Sequence, residues 1–409
     1  MVRVTRLAQR AWQMRHDPVG IVEGLDRLGL RIPGSGSYRH RSPQVGALVD
    51  RAWAGHVTRS LAELERLASL PGRKGRDAVL ALSDWDITHG NPQAAIDRLE
   101  AVARLPRDGR TLAAEARQHT RAAEANALDL VNSRLRRAGF ASVTSPSGSL
   151  FDLSAPMPSP IDGPLVSVIV PAFNAEKTIT STITSLIEQS WRNLEIIVVD
   201  DASTDDTGQA VASFDDPRVI LMQHDTNQGA YAARNQGLQA ASGDFVTVND
   251  ADDWAHPSKI AVQVQHLIKN PDFTANTTDL ARVSDDLRAV RRGIPNGKFT
   301  GYNHSSLMLR TSLLRSLGGW DDVRVGADSE LEARLIHLHG NEAIRRLQPG
   351  VPLTFARSDA SSLTGDPLTG LASTRASTGA RRLYAQAYTN WHQTLATDSA
   401  RLERTSDNH

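Results

Sequence analysis

Apolar positions change their rhythm partway along the chain. Through residues 57–138 they recur every three or four positions: Leu61, Leu64, Leu67 and Leu70 form one stripe. Val79, Leu82 and Ile87 with Trp85 form a second, and Ile96, Leu99, Val102 and Leu105 a third. That spacing puts each set on one face of a helix. His89-Gly-Asn-Pro92 separates two of the stripes and places a proline at a helix start. From Val166 the apolar residues instead come in short continuous runs: Val166-Ser-Val-Ile-Val-Pro171, Leu194-Glu-Ile-Ile-Val-Val-Asp200, Arg218-Val-Ile-Leu-Met222 and Phe245-Val-Thr-Val248. Such runs are expected of strands covered on both faces. Helical patterns lie between them. One follows Asn174 as a cap and carries Ile179, Ile183, Leu186 and Ile187; another follows Asp201-Ala-Ser-Thr-Asp205; a third follows Asn227-Gln-Gly229 and bears Arg234 and Asn235. Strand and helix in alternation predict right-handed crossovers and a mostly parallel α/β sheet.

Between the two textures lie Ala141-Ser-Val-Thr-Ser-Pro-Ser-Gly-Ser149 and Ala155-Pro-Met-Pro-Ser-Pro-Ile-Asp-Gly-Pro164, which have linker composition. The expected organisation is a helical accessory domain over 1–140, a linker over 141–164, an α/β domain over 165–365 and a C-terminal helical extension over 366–409. Trp85 with Gly90-Asn-Pro-Gln-Ala-Ala-Ile-Asp-Arg-Leu resembles one tetratricopeptide-like hairpin, without the further copies a solenoid requires.

Composition narrows the partners. The chain has 409 residues, 46 basic against 46 acidic side chains and no net charge, so bulk charge calls for no nucleic acid. Arginines outnumber acids in the first 59 residues; that basic start suits contact with an anionic membrane surface or a protein, or is simply a solvated helix face. No run has the length to cross a bilayer, and the N-terminus lacks the apolar core of a secretory signal. There is no cysteine, which removes thiolate metal sites and suits a cytoplasmic setting, with peripheral attachment at the inner membrane face as an extension of it.

The chemistry gathers at strand ends. Asp200 and Asp201 close one apolar run, and Asp250, Asp252 and Asp253 close another. Three carboxylates in four residues repel one another unless a hard divalent cation, Mg²⁺ or Mn²⁺, joins them through oxygen. A solvated acidic turn is the plainer reading. In a parallel sheet, ligands bind beyond the carboxyl ends of the strands, and two strands ending in acids favour one shared site.

Four segments occur in register: Val166-Ser-Val-Ile-Val-Pro-Ala-Phe-Asn174, Val198-Val-Asp-Asp-Ala-Ser-Thr-Asp205, Asn227-Gln-Gly-Ala-Tyr-Ala-Ala-Arg-Asn-Gln-Gly237 and Asn249-Asp-Ala-Asp-Asp253. Together they resemble the family 2 glycosyltransferases with the GT-A fold, over about residues 165–365. The resemblance implies an inverting transferase that moves a sugar from a nucleotide diphosphate, a UDP-sugar, to a glycan or glycolipid acceptor. It implies donor contacts from Pro171, Ala172, Phe173, Asn174, Asp201, Arg234, Asn235, Asp250 and Ala251, with Asp201 at the uracil edge and Arg234 either on a phosphate or bracing a carboxylate. Asp250 and Asp252 match the family's Asp-x-Asp motif, which holds Mn²⁺ or Mg²⁺. For Asp253, metal, donor sugar and local backbone all stay open.

Gly318-Gly-Trp-Asp-Asp-Val-Arg-Val-Gly-Ala-Asp-Ser-Glu-Leu331 resembles the family's base-carrying segment. There Asp328 would be the general base and Glu330 the reserve, with a helix cap as the alternative role for Asp328. Ala327 stands where glutamate is usual. Pro352-Leu-Thr-Phe-Ala-Arg-Ser-Asp-Ala-Ser-Ser-Leu-Thr364 resembles the closing segment; Asp359 there, or His392 further on, would add a metal ligand. His304, with Ser305 and Ser306, would face donor or acceptor. Ala327 and the missing closing histidine also motivate a second reading, a non-catalytic sugar-nucleotide-binding scaffold that docks partners through its helical region. A nucleotidyltransferase ranks lower, because Pro-Ala-Phe-Asn-Ala replaces the glycine-rich phosphate loop.

Overall fold

The computed structural model describes residues 57–88, 91–102, 127–290, 300–358 and 379–393, with the single positions 45, 48, 52, 113 and 116. The chain divides into two compact units. One comprises Met1–Asn126, Arg288–Phe299 and Ser358–Ala387; the other comprises Ala127–Leu287, Thr300–Arg357 and Tyr388–His409.

The first unit contains helices α1 (Val57–Ala68), α2 (Arg73–Thr88) and α3 (Pro92–Glu100). The apolar stripes meet as the spacing requires. Leu64 and Leu67 cluster with Ala78, Ala81 and Leu82, while Leu80 and Ile87 cluster with Ile96 and Leu99. Arg98 of α3 reaches Glu65 of α1 at 2.9 Å and Asp86 of α2 at 3.1 Å. Leu70 falls out of its stripe, 40% exposed, because α1 ends at Ala68. Leu105 lies outside the described residues.

The second unit opens with α4 (Ala127–Arg137), followed by β1 (Val166–Ala172), α5 (Ile179–Ile187), β2 (Leu194–Asp200), α6 (Thr207–Ala212), β3 (Val219–Gln223), α7 (Ala230–Ala240) and β4 (Phe245–Val248). Shorter elements follow: β5 (Asp253–Ala255), α8 (Lys259–Lys269), β6 (Ala275–Thr277), β7 (Asp279–Val283), β8 (Thr300–Tyr302), β9 (Met308–Arg310), α9 (Thr311–Ser316), α10 (Ala327–His339), β10 (Ile344–Arg346) and β11 (Pro352–Arg357). Helix α11 (Gly379–His392) brings its last turn into this unit.

The main sheet runs β10-β6-β9-β4-β1-β2-β3, and β1 pairs in parallel with both β2 and β4. The chain therefore steps outward through β2 and β3, then returns to the opposite side of β1. Strand order reverses at the β1/β4 boundary, and such a switch point opens a crevice at the carboxyl ends. The register puts Ala172 beside Asp200 and Ile169 beside Val248, so the turns after all three strands emerge at one edge. Alternate residues of β1 fill two cores. Val166, Val168 and Val170 cluster with Ile179, Ile183, Leu186, Ile260, Val264 and Leu267, and Ile169 clusters with Tyr231, Leu238, Leu331 and Leu335. Helix α7 lies so close that a Cβ on Gly237 would sit 2.6 Å from Ile169 Cγ2.

A second sheet, β5-β11-β7-β8, was not expected from sequence. Most of its strands have only three to six residues, too few for periodicity to register. It begins inside the acidic stretch, at Asp253.

The Ser/Pro/Gly-rich stretch 141–164 is held to this unit. Thr144 and Ser154 exchange backbone hydrogen bonds of 2.8 and 2.9 Å, and Val143, Leu150 and Leu153 are buried. The Asn132 amide brackets the Val143 backbone, donating to its carbonyl at 2.8 Å and accepting from its N–H at 2.7 Å. His256, fully buried, donates from Nε2 to the Ala141 carbonyl at 3.1 Å and accepts at Nδ1 from the Ser258 N–H at 3.1 Å. Both ring nitrogens are thus committed to the neutral form, and burial lowers its pKa from 6.5 to about 4.

Between those values the unfolded imidazole binds more protons than the folded one, so stability falls as pH drops through that window. Urea titrations at pH 7 and pH 4.5 are expected to show a loss of roughly 2–3 kcal/mol traceable to this ring. His256→Gln should show a correspondingly smaller pH-dependent loss.

Candidate active site

The loops after β1 and β2 interlock. The Asn174 N–H donates to Ser203 Oγ at 2.9 Å, the Thr204 N–H to Asn174 Oδ1 at 2.9 Å, the Ala175 N–H to Thr207 Oγ1 at 2.7 Å and the Asp201 N–H to the Ala172 carbonyl at 2.8 Å. Asn174 (φ 50°) and Ala202 (φ 60°) take the left-handed conformation, which side chains disfavour and which this mutual bracing maintains. Pro171 is half-buried and Ala172 buried, but Phe173 projects from the platform, half exposed.

Asp201, expected at the uracil edge, has its carboxylate engaged by protein groups. It is 2% exposed, and its oxygens accept from Gln228 N (2.8 Å), Gly229 N (2.6 Å) and His224 Nδ1 (2.6 Å). These bonds fix the entry to α7. The bare backbone of the β1 and β2 loops and the exposed Phe173 ring remain for a base.

The acids after β4 differ in surroundings. Asp250, partly exposed, accepts from Arg234 Nη2 at 2.9 Å and Ser305 Oγ at 2.6 Å. Asp252 is half-buried; burial first, then the charge of Asp250, raises its pKa to about 6. Asp253 is buried, and burial followed by Asp252 and Asp250 pushes it well above the carboxylate range. Its Oδ1 accepts from the Arg357 N–H at 3.3 Å. Asn249, buried, staples the turn by donating to the Asp250 and Asp253 carbonyls at 3.1 and 3.0 Å. Its Oδ1 accepts from the buried Lys259 Nζ at 2.8 Å, which sets a cation beneath the acids. Ala251, expected among the donor contacts, is 8% exposed, and its carbonyl accepts from Thr182 Oγ1 at 2.9 Å.

Burial and then the charge of Asp250 both disfavour an ionised Asp252, and a divalent cation would offset both. Oxygen donors from Asp250 and Asp252 suit Mg²⁺ or Mn²⁺, whose remaining positions are filled by phosphate oxygens and water. Among the described residues no three His, Cys, Asp or Glu side chains converge as a ready-made metal cage. Among the described residues, Asp250 and Asp252 are the carboxylates such a shell would draw on. His392 does not join it, because its Nε2 meets Glu330 Oε1 at 2.9 Å. Asp359 lies outside the described residues.

The opposite wall comes from Gly318 to α10. Gly318 (φ 83°) and Gly319 (φ 80°) turn the chain through backbone that only glycine adopts readily. Asn235, expected at the donor, instead clamps the next residue, donating to the Trp320 carbonyl at 2.8 Å and accepting from its N–H at 3.0 Å. Asp328 stands half-buried in the first turn of α10, with Ser329 N–H donating to its Oδ1 at 2.8 Å.

Arg234 joins the two walls. Burial disfavours its charge, but Asp250, then Tyr231 and Asp328, hold its pKa above the usual value. At 5% exposure it braces the Asp250 carboxylate. Glu330, the reserve base in sequence, is fully buried against Arg334 (3.1 Å) and His392, out of an acceptor's reach.

His304, on a 3-10 turn, sets Nδ1 2.9 Å from Glu332 Oε1. Burial opposes its charge, but Glu332 and then Asp328 raise its pKa to about 9. Asn249, Lys259 and Glu332 escaped the sequence reading. Lys259 had a faint signal, the first position of an amphipathic helix directly after the acids.

The description Glycosyl transferase family 2 matches residues 167–317. EpsE of Bacillus subtilis (strain 168), named as a glycosyltransferase, is 36% identical over 174 residues, covering 40% of this chain and 62% of EpsE. "UDP-Glc:alpha-D-GlcNAc-diphosphoundecaprenol beta-1,3-glucosyltransferase WfgD" of Escherichia coli is 40% identical over 110 residues, covering 27% of this chain and 44% of WfgD. The match thus spans less than two thirds of either relative. A crystal structure of S. aureus TarS 1-349 in complex with UDP is 24% identical, covering 48% of this chain and 61% of that one, with a TM-score of 0.38, too loose a likeness to carry weight.

Proposed function

We propose that this chain, whose residues 167–317 form a glycosyl transferase family 2 domain, moves a sugar from a UDP-sugar to an acceptor hydroxyl with inversion at the anomeric carbon. One observation supports this reading above the rest: carboxylates from two distant segments, Asp250 and Asp328, share one buried arginine, Arg234. In this reading Asp250 is the phosphate-side acid and Asp328 the base-side acid, and ligands of such sheets bind beyond the carboxyl ends of the strands.

In this reading the nucleoside lies on the interlocked loops after β1 and β2, with the exposed Phe173 ring as an apolar surface for the base. Asp250 and Asp252 would hold Mn²⁺ or Mg²⁺, which neutralises the charge of the donor's diphosphate. Asp328 takes the proton of the acceptor hydroxyl as its oxygen bonds to the anomeric carbon. The bond from that carbon to the diphosphate breaks with its electron pair leaving on oxygen. One displacement inverts the centre and needs no covalent enzyme intermediate.

The acceptor we propose is a glycan or glycolipid. WfgD carries a lipid diphosphate in its name, which places an acceptor of that class first in line. No helix among the described residues is long and apolar enough to cross a membrane. The arginine-rich N-terminal segment would supply peripheral contact at the inner face of the membrane.

Purified protein incubated with Mn²⁺ and common UDP-sugars is expected to release UDP, faster when acceptor is added. Absence of release from every donor, together with absence of UDP binding, would contradict the proposal.

A further inference from the structure

The cations around Asp250 are unequal. Arg234 is 5% exposed and pairs with Asp250; Lys259 is 1% exposed and donates to Asn249. Neither is placed to meet a ligand. The His304 side chain, by contrast, is 46% exposed.

Its position is fixed from several sides. Asn303 Oδ1 accepts from the Ser305 N–H at 3.1 Å, and buried Ser306 Oγ accepts from the Thr278 N–H at 2.9 Å, so the turn is rigid. Ser305, one residue on, donates to Asp250 Oδ2 at 2.6 Å. The His304 ring stands edge-on to Tyr302 with centroids 4.8 Å apart, and Nδ1 donates to Glu332 at 2.9 Å. Glu332 lies one helical turn beyond Asp328, on the same face of α10. His304 therefore sits between the turn that carries Asp250 and the helix that carries Asp328. Its Nε2 makes no hydrogen bond among the described residues.

We propose that His304 is a further catalytic residue, whose Nε2–H hydrogen-bonds the departing diphosphate of the sugar donor. The assignment rests on the sugar-nucleotide reading of the site. The ring is kept protonated by its carboxylate partner, so it brings a charge-assisted donor to oxygens whose negative charge grows as the bond to the sugar breaks. No proton is transferred at this point. The acceptor's proton goes to Asp328, the electron pair of the broken bond stays on the diphosphate oxygen, and the imidazolium shares its hydrogen with that oxygen. Glu332 is the positioning residue that orients and charges the ring.

The test compares His304→Gln, which keeps an N–H without the charge, with Glu332→Gln and wild type. Affinities for UDP and for uridine are measured by calorimetry in EDTA, alongside kcat for UDP release with metal. A charge-assisted hydrogen bond to the diphosphate predicts roughly ten-fold weaker UDP binding in His304→Gln. Uridine binding and melting temperature should be unchanged, and kcat should fall by about ten-fold or more. Glu332→Gln should move UDP affinity in the same direction by a smaller factor. A merely structural histidine would weaken uridine and UDP alike, and that result overturns the proposal. Wild-type UDP affinity and kcat in His304→Gln overturn it too, while leaving the transferase reading intact. Wild-type protein that neither binds UDP nor turns over a sugar nucleotide overturns both.

Discussion

Asp328→Asn is expected to lower kcat for sugar transfer by roughly 10²–10⁴-fold, the usual contribution of a positioned general base. UDP affinity should stay within about two-fold of wild type, because the proposed role of Asp328 is to take the acceptor's proton and not to hold the nucleotide. The substitution is nearly isosteric, and an asparagine oxygen can still accept from the Ser329 N–H that Asp328 Oδ1 engages at 2.8 Å. A capping role would therefore survive and a proton-accepting role would not. The alternative of a non-catalytic scaffold makes the opposite claim: wild type and variant would bind UDP equally and neither would transfer. UDP-release kinetics with saturating donor, paired with calorimetric UDP binding, distinguish the two. Undiminished kcat in Asp328→Asn would remove this residue from the base role.

Arg334→Leu is expected to destabilise the second unit by about 3–5 kcal/mol, as happens when a buried charge loses its partner. Arg334 and Glu330 are both fully buried and meet at 3.1 Å, one turn apart on α10. Removing the guanidinium leaves the buried Glu330 carboxylate without its ion-pair partner, with His392 at 2.9 Å. Arg334 also donates to the carbonyls of Leu317 (2.6 Å) and Gly319 (2.7 Å), so the same change frees the double-glycine turn before Trp320. Urea denaturation followed by tryptophan fluorescence measures the loss. The double variant Glu330→Leu, Arg334→Leu should recover a good part of it, since a well-packed apolar pair often matches a buried ion pair. Equal instability of single and double variants would mean that the backbone bonds, and not the charge, dominate.

Legibility from sequence followed burial geometry. Strands β1, β2 and β4 are continuous apolar runs because both faces of the central sheet are covered, and their alternation with helices announced the parallel order. The three-residue strands carry no such signal, so β6, β9 and β10 of the main sheet and β5 and β8 of the second went unseen. In the site, Asp250 and Asp252 stood out as an acidic cluster at a strand end and Asp328 through the resemblance to the family's base-carrying segment; Asp250 meets Arg234 at 2.9 Å. Asp201, Asn235 and Glu330, expected at donor or acceptor, have protein partners that the reading did not foresee, because a polar residue's partner is not written beside it in sequence. Their partners, Gly229, Trp320 and His392, are 28, 85 and 62 positions away.

The most direct measurement is a calorimetric titration of UDP into wild type and Asp250→Asn, each with Mn²⁺ and with EDTA. Asp250 and Asp252 holding a cation against the diphosphate predicts that Mn²⁺ tightens UDP binding to wild type by about ten-fold or more and leaves the variant's affinity unchanged. Wild type that ignores UDP under both conditions, or a variant that gains as much from Mn²⁺ as wild type does, would contradict it.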